Sequence, residues 1–144
     1  MLFRSDAKLP DLSLYEFIIF LKHFCKDKAW VVENVIPYYD VLIKPTVTLQ
    51  RHNFWSNFKI SPKGFSGCNV AKTTKEVLAE YHKIPLPKCK DQRKLLRNCV
   101  NPEVGKHIII EYLLQFYDNN VLNDDKENDV LNILESLGFD IREI

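Results

Sequence analysis

Among the side chains able to do chemistry, Glu33 has the most informative surroundings. Trp30-Val31-Val32 is a short aromatic and β-branched run, the composition of a buried strand. Glu33-Asn34-Val35 ends that run, and Pro37 then prevents regular pairing. In open α/β sheets ligands gather outside the carboxyl ends of strands. A carboxylate at such a place accepts hydrogen bonds when ionised and donates one when protonated, so Glu33 is a site candidate on geometry alone. The plain alternative is a loop glutamate facing water, as most acids do.

The other reactive groups form no ready constellation. Cys25, Cys68, Cys89 and Cys99 show neither a CxxC pair nor zinc spacing. They could form two disulfides, but the chain opens without a signal peptide, so reduced thiols in a cytoplasmic protein are expected. His23, His52, His82 and His107 are scattered, with no partner that suggests a metal or general-base pair. Arg51 reads as a surface residue beside a strand. The basic run of Lys83, Lys88, Lys90, Arg93, Lys94 and Arg97 has the composition of a solvated face. A net charge of only +1 drives no general attraction to nucleic acid, so any DNA contact requires basic residues gathered locally.

The elements that must position these residues follow from spacing. The 144 residues, 46% hydrophobic and 27% charged, suit one domain with a sizeable core. Ser13-Leu14-Tyr15-Glu16 reads as a capping box, and Leu14, Phe17, Ile18 and Leu21 follow at helical spacing to about Cys25. That stretch carries Glu16, Lys22 and His23 and is no membrane span. Helix, turn (Lys26-Asp27-Lys28) and strand make one piece of an α/β layer. Val47–Arg51 and Phe54–Phe58 read as extended segments, with Phe54, Trp55 and Phe58 as core rather than stacking platforms. The Pro62, Gly64 and Gly67 punctuation marks a loop over residues 61–69. Thr73 or Thr74 can cap a helix over Lys75–Tyr81, and Pro85, Pro87 and the basic run mark an irregular stretch. A helix is expected over Val104–Tyr117, with Ile108, Ile109, Tyr112 and Leu113 on its apolar side. After an acidic loop from Asp118 to Asp129, a terminal helix through Val130, Leu131, Leu134 and Leu137 should stop at Gly138.

Three blocks then share a pattern. Trp30-Val31-Val32-Glu33-Asn34-Val35 with Pro37-Tyr38-Tyr39 closely resembles the ENV motif of DNA cytosine-5 methyltransferases, particularly a bacterial and phage branch. Gln50-Arg51-His52 through Phe54-Trp55-Ser56-Asn57-Phe58 looks like that branch's arginine motif. Arg97-Asn98-Cys99-Val100-Asn101-Pro102 resembles the family's last motif, a Gly-Asn-Ser-Val-x-Pro pattern. The blocks stand in the family's order and span most of residues 11–115.

The resemblance implies an α/β fold: part of a Rossmann-like S-adenosylmethionine-dependent methyltransferase, lacking the N-terminal cofactor-loop half. It implies one partial domain over 1–144, with helix, ENV strand and arginine block in 11–60. A short variable region occupies 61–95, and the last motif and C-terminal helices occupy 96–144. Such enzymes flip cytosine out of the duplex and attack C6 with a cysteine thiolate, making C5 electron-rich enough to take a methyl group. Glu33 matches the carboxyl group that shares a proton with ring N3, a role needing a pKa raised by partial desolvation. Asn34 would orient its loop. Arg51 matches an arginine that steadies the cytosine carbonyl or a flanking phosphate. Asn98, Cys99 and Val100 match the border of the cofactor pocket, and Lys88, Lys90, Arg93, Lys94 and Arg97 lie where the family contacts DNA phosphates.

Other parts of the pattern are missing. No Pro-Cys dipeptide, the family's nucleophile motif, occurs in these residues, nor does a glycine-rich cofactor loop or a recognisable Arg-x-Leu-Thr motif. Arg97 stands where glycine is common and Cys99 replaces a small hydroxyl residue. The implied partners are therefore DNA and a complementary segment carrying the nucleophile and the S-adenosyl-L-methionine loop, or else a homo-oligomer, with no membrane. Activity is not expected from this chain alone. A catalytically inactive homologue acting as a DNA- or protein-binding module is the alternative. An isolated half-sheet would expose an unpaired edge and an apolar face.

Overall fold

The computed structural model describes residues 9–67, 72–86, 88–120 and the isolated positions 132, 133, 135, 136 and 138. Four helices and three strands occur among them: α1 (Leu12–Phe24), β1 (Val31–Val35), β2 (Val47–Leu49), β3 (His52–Ser56), α2 (Lys75–Tyr81), α3 (Gln92–Asn98) and α4 (Pro102–Asn120). The strands form one sheet in the order β1-β3-β2, antiparallel throughout. The α/β expectation holds at this level. None of the parallel crossover units of a Rossmann-like sheet occurs among the described residues.

Side-chain alternation divides the sheet into two working faces. In register, Val32 faces Trp55 and Asn34 faces Asn53, while Glu33 faces Phe54 and Val35 faces His52. The first set lies toward α1. There Tyr15 and Ile18 pack with Trp30 and Trp55, flanked by Leu14, Leu21, Val32 and Ile43. Tyr15 meets Trp55 edge-on, with ring centroids 6.4 Å apart, and the Trp55 indole N–H donates to the Ile43 carbonyl at 2.8 Å. The second set lies toward the C-terminal helices, where Val47, Leu49, Phe54 and Ile60 pack with Val104 and Ile108 of α4. Phe54 and Trp55 are core, as expected, and half-buried Phe58 packs against Tyr112.

Several local expectations are corrected. The capping box is displaced: Asp11 is the N-cap of α1 and accepts from the Ser13 backbone N–H at 3.1 Å and also from the Ser13 hydroxyl. The apolar face of α1 holds at Leu14, Ile18 and Leu21, which pack against the sheet, and fails at Phe17. Tyr15 and Ile18 are buried, whereas Phe17, Ile19, Phe20 and Phe24 are exposed. The strand ends in Glu33-Asn34-Val35 as expected, but it is not fully buried: among the described residues β1 is an edge strand, with an exposed Val31. The end of the basic stretch is not irregular, because residues 92–98 form α3. The apolar side of α4 centres on Val104 and Ile108, leaving Ile109 partly exposed.

Other boundaries agree. Thr74 caps α2 by accepting from the Val77 N–H, and α2 spans the residues expected. The loop reading holds over residues 61–67; its last two positions lie outside the described residues. Pro102 opens α4 at a position that needs no N–H, and Asn101 caps it by accepting from Glu103 N–H at 2.9 Å. The first residues of the expected acidic loop belong to α4. The rest of that loop lies outside the described residues, as do Val130, Leu131, Leu134 and Leu137 of the terminal helix. Gly138 takes a left-handed φ of 81°, suited to a helix stop.

Candidate functional site

Glu33 projects from β1 onto the α3–α4 side of the sheet, diagonal to His52 across the β1–β3 ladder. Its carboxylate lies 3.7 Å from His52 Nε2, and its side chain is about one-third exposed, 36%. Burial raises the Glu33 pKa above the ordinary carboxylate value, as a proton-sharing group requires. Burial lowers the pKa of His52 below the ordinary imidazole value, so at neutral pH the imidazole is uncharged. The contact is thus a carboxylate beside a neutral ring and not an ion pair.

The turn between β2 and β3 carries the next two residues. Leu49 pairs with His52, so Gln50-Arg51 is a two-residue turn, with Gln50 at a left-handed φ of 52°. A non-glycine residue there costs on the order of 1 kcal/mol. The Gln50 side chain offsets that cost by donating to the Ser66 carbonyl at 3.0 Å and to the Tyr81 hydroxyl at 3.2 Å. Asn101 also donates to the Tyr81 hydroxyl, at 2.8 Å, which ties the turn to the cap of α4. Arg51 is exposed, as the surface reading held, and reaches the Arg97 carbonyl at 3.5 Å.

These contacts enclose a cavity of about 320 Å³ lined by Gln50, Arg51, His52, Tyr81, His82, Arg97, Cys99 and Asn101, with Phe65 and Gly67 at its margin. Burial, and secondarily the charge of Glu33, pushes the Cys99 thiol pKa up. Glu33, the turn and the last block therefore meet at one place, although about 65 residues separate Glu33 from Cys99 in sequence.

Some expected residues fall elsewhere. Asn34 lies on the opposite sheet face from Glu33 and does not share its cavity. Val100 packs against the α4-side core, Asn98 is exposed, and the Cys99 thiol donates to the Leu95 carbonyl at 3.5 Å. These three residues provide no glycine cradle and do not by themselves form a site for S-adenosyl-L-methionine. Lys88, Lys90, Arg93, Lys94 and Arg97 are all exposed on α3 and the turn before it. Cys25, Cys89 and Cys99 are free thiols.

Sequence reasoning overlooked His52 and His82. It found no partner for either, yet His52 adjoins Glu33 and both rings line the cavity. The position of His52 two residues from Trp55's neighbour Phe54, on the Glu33 side of β3, was available from strand alternation. The position of His82 was not, because it depends on how α2 docks. No helix of the described residues is long and apolar enough to cross a membrane, and no group of three metal-binding side chains occurs among them. Comparison with known proteins found no matching family model, no matching curated protein and no matching solved structure.

Proposed function

We propose that this chain is the C-terminal part of a DNA cytosine-5 methyltransferase with a partial Rossmann-like fold, holding a flipped cytosine while a complementary segment supplies the cysteine nucleophile and the methyl donor. The supporting observation is the convergence of the three motif blocks: Arg51-His52 and Arg97, Cys99 and Asn101 line one cavity, and Glu33 stands 3.7 Å from His52 just outside that lining. Glu33 also has the electrostatics that the role requires. As a thiolate bonds to C6, negative charge moves to ring N3, and a carboxyl group with a raised pKa is readier to give N3 a proton. Arg51, exposed at the cavity wall and touching the Arg97 carbonyl only at 3.5 Å, has further N–H donors to offer a base carbonyl or a phosphate. The exposed α3 cations suit the DNA backbone.

The outer edge of β1 supports the need for a complementary segment. β1 pairs only with β3 among the described residues, so its other edge offers unpaired backbone groups. Apolar side chains flank that strand and the outer side of α1: Val31, Ile36, Phe17, Phe20 and Phe24 are all exposed. A strand with flanking helices would cover both features, extending the sheet toward the expected α/β layer. The site is read as cytoplasmic DNA modification of the restriction-modification type.

The test combines this chain with a segment carrying the glycine-rich and Pro-Cys motifs, together with DNA and labelled S-adenosyl-L-methionine. Methyl transfer to cytosine is expected, and Glu33→Gln should lower its rate by a factor of about 10² to 10⁴, the usual weight of a positioned acid. Undiminished activity of Glu33→Gln would overturn the role given to Glu33. No transfer by the combined wild-type chains would overturn the reading itself.

A further inference from the structure

The cavity holds two groups that the cytosine reading does not use. His52 and His82 are each 4% exposed, and neither ring makes a hydrogen bond of full geometry with either nitrogen. Around His52 the nearest polar groups are the Glu33 carboxylate at 3.7 Å and the Asn98 carbonyl. A buried polar group without a partner costs about 1–3 kcal/mol, so two such rings beside one cavity call for a ligand that supplies their partners.

Local structure fixes both rings. His52 opens β3 directly after the two-residue turn, paired with Leu49 on one side and Val35 on the other. His82 is the C-cap of α2, where the chain reverses through Lys83 at a left-handed φ of 55°. The Lys83 N–H donates to Glu80, and the Ile84 N–H donates back to Ala79 at 3.0 Å, closing the helix end. Leu78 and Ala79 anchor α2 against Leu96 of α3, which places the backbone of His82 beside the cavity.

The rest of the lining defines the ligand's charge. Arg51 and Arg97 contribute guanidinium groups, and among the described residues no acidic side chain lines the cavity. Glu33 stands beyond His52 and contributes no wall. Imidazole N–H donors with forked guanidinium donors, with the nearby Glu33 carboxylate outside the lining, match the several acceptor oxygens of a phosphate ester.

We propose that this cavity is a phosphate-ester subsite, in which Arg51, Arg97 and the imidazoles of His52 and His82 hold the phosphate of a nucleotide. The identity of that nucleotide as cytidine rests on the methyltransferase reading; the phosphate chemistry rests on the cavity alone. The phosphate belongs to a DNA strand or to a free nucleotide, and the two sources are separable.

The test is an imidazole ¹⁵N NMR titration of the whole chain with deoxycytidine 5′-monophosphate, thymidine 5′-monophosphate, uncharged deoxycytidine and a short single-stranded oligonucleotide. Expected are shifts of the His52 and His82 signals with the monophosphates and none with deoxycytidine. Arg97→Ala and His82→Asn should each weaken binding about tenfold or more, as loss of a charge-assisted contact does, with unchanged thermal midpoints showing that the fold is kept. A tenfold preference for the oligonucleotide over the monophosphates identifies a strand phosphate; equal affinity identifies a free nucleotide. Signals unmoved by millimolar monophosphate, or moved equally by deoxycytidine, would overturn the subsite. Equal binding of the cytidine and thymidine monophosphates would leave the subsite standing and count against cytosine recognition by Glu33.

Discussion

The two faces of the small sheet are built to different ends. Toward α1, Tyr15, Ile18, Trp30 and Trp55 fill the space with apolar rings and an aliphatic side chain. The Tyr15 hydroxyl and Trp30 indole N–H lack full hydrogen bonds there, but each is a single polar tip on a large apolar body. Toward α3 and α4 the packing is good only at the Val47, Phe54 and Val104 end. At the turn end it gives way to a cavity bordered by whole unpartnered imidazoles and guanidinium groups, with a partly desolvated carboxylate beyond His52. One face holds the chain together. The other keeps polar groups short of partners, which stability alone would not favour and which the proposed phosphate subsite would explain.

This contrast can be broken first at Trp55, the largest fully buried side chain. Trp55→Ala should cost about 3–5 kcal/mol, enough to unfold a marginal domain, read as a fall in the urea midpoint. The next largest effect is expected at Asn57. It accepts from Trp30 N–H at 3.0 Å and donates to the Lys28 carbonyl at 2.8 Å, fastening the entry of β1 to the end of β3. Asn57→Ala should lower stability by about 1–3 kcal/mol in the same measurement.

On the cavity face the sign should reverse. His82→Leu replaces a buried, unpartnered ring with an apolar side chain. It should leave the thermal midpoint unchanged or raise stability by up to about 1 kcal/mol, while removing any phosphate-induced shift at His52. A clear loss of stability would show that His82 has a structural partner and would erase the contrast between the faces.

The smallest effects concern pH. The folded-state pKa of His52 lies below 6.5, so the unfolded chain takes up that proton first and stability falls as pH drops from 6.5 toward the folded value. Glu33 acts oppositely. Its folded pKa lies above 4.5, the folded state takes the proton first, and its contribution rises as pH falls through the raised value toward 4.5. Glu33→Gln should therefore steepen the fall of stability on the acid side and leave stability at neutral pH unchanged or raised by less than about 1 kcal/mol, given the partial exposure of Glu33.

Much of this organisation was legible from sequence, unevenly and for physical reasons. Thr74 and the span of α2 followed from capping chemistry, which is local. The two strands around Gln50-Arg51 followed from β-branched and aromatic composition, with ends shifted by a few residues. The end of β1 at Glu33-Asn34-Val35 followed from the β-branched run and from Pro37 just beyond it, which limits further pairing. Asn34 was grouped with Glu33 because they are adjacent in sequence, and strand alternation then put them on opposite faces. The Lys88–Arg97 stretch concealed a short helix because its amphipathic signal is slight and its only buried residue is Leu96. The site itself was half visible. Glu33, Arg51 and Cys99 came from motif chemistry, whereas His82 reaches the cavity only through the docking of α2 on α3, which no local pattern encodes.

On the proposed function, the sheet face beside the cavity withdraws Glu33 partly from water, which lets it share a proton with a bound base. The most direct measurement is the pH titration of the Glu33 side-chain carboxyl by ¹³C NMR, with Glu33→Gln used to assign the signal. The account predicts a midpoint above 4.5, moving further upward when His52 is replaced by the apolar ring of His52→Phe. A midpoint at or below 4.5 would mean that Glu33 is an ordinary solvated carboxylate and would contradict the account.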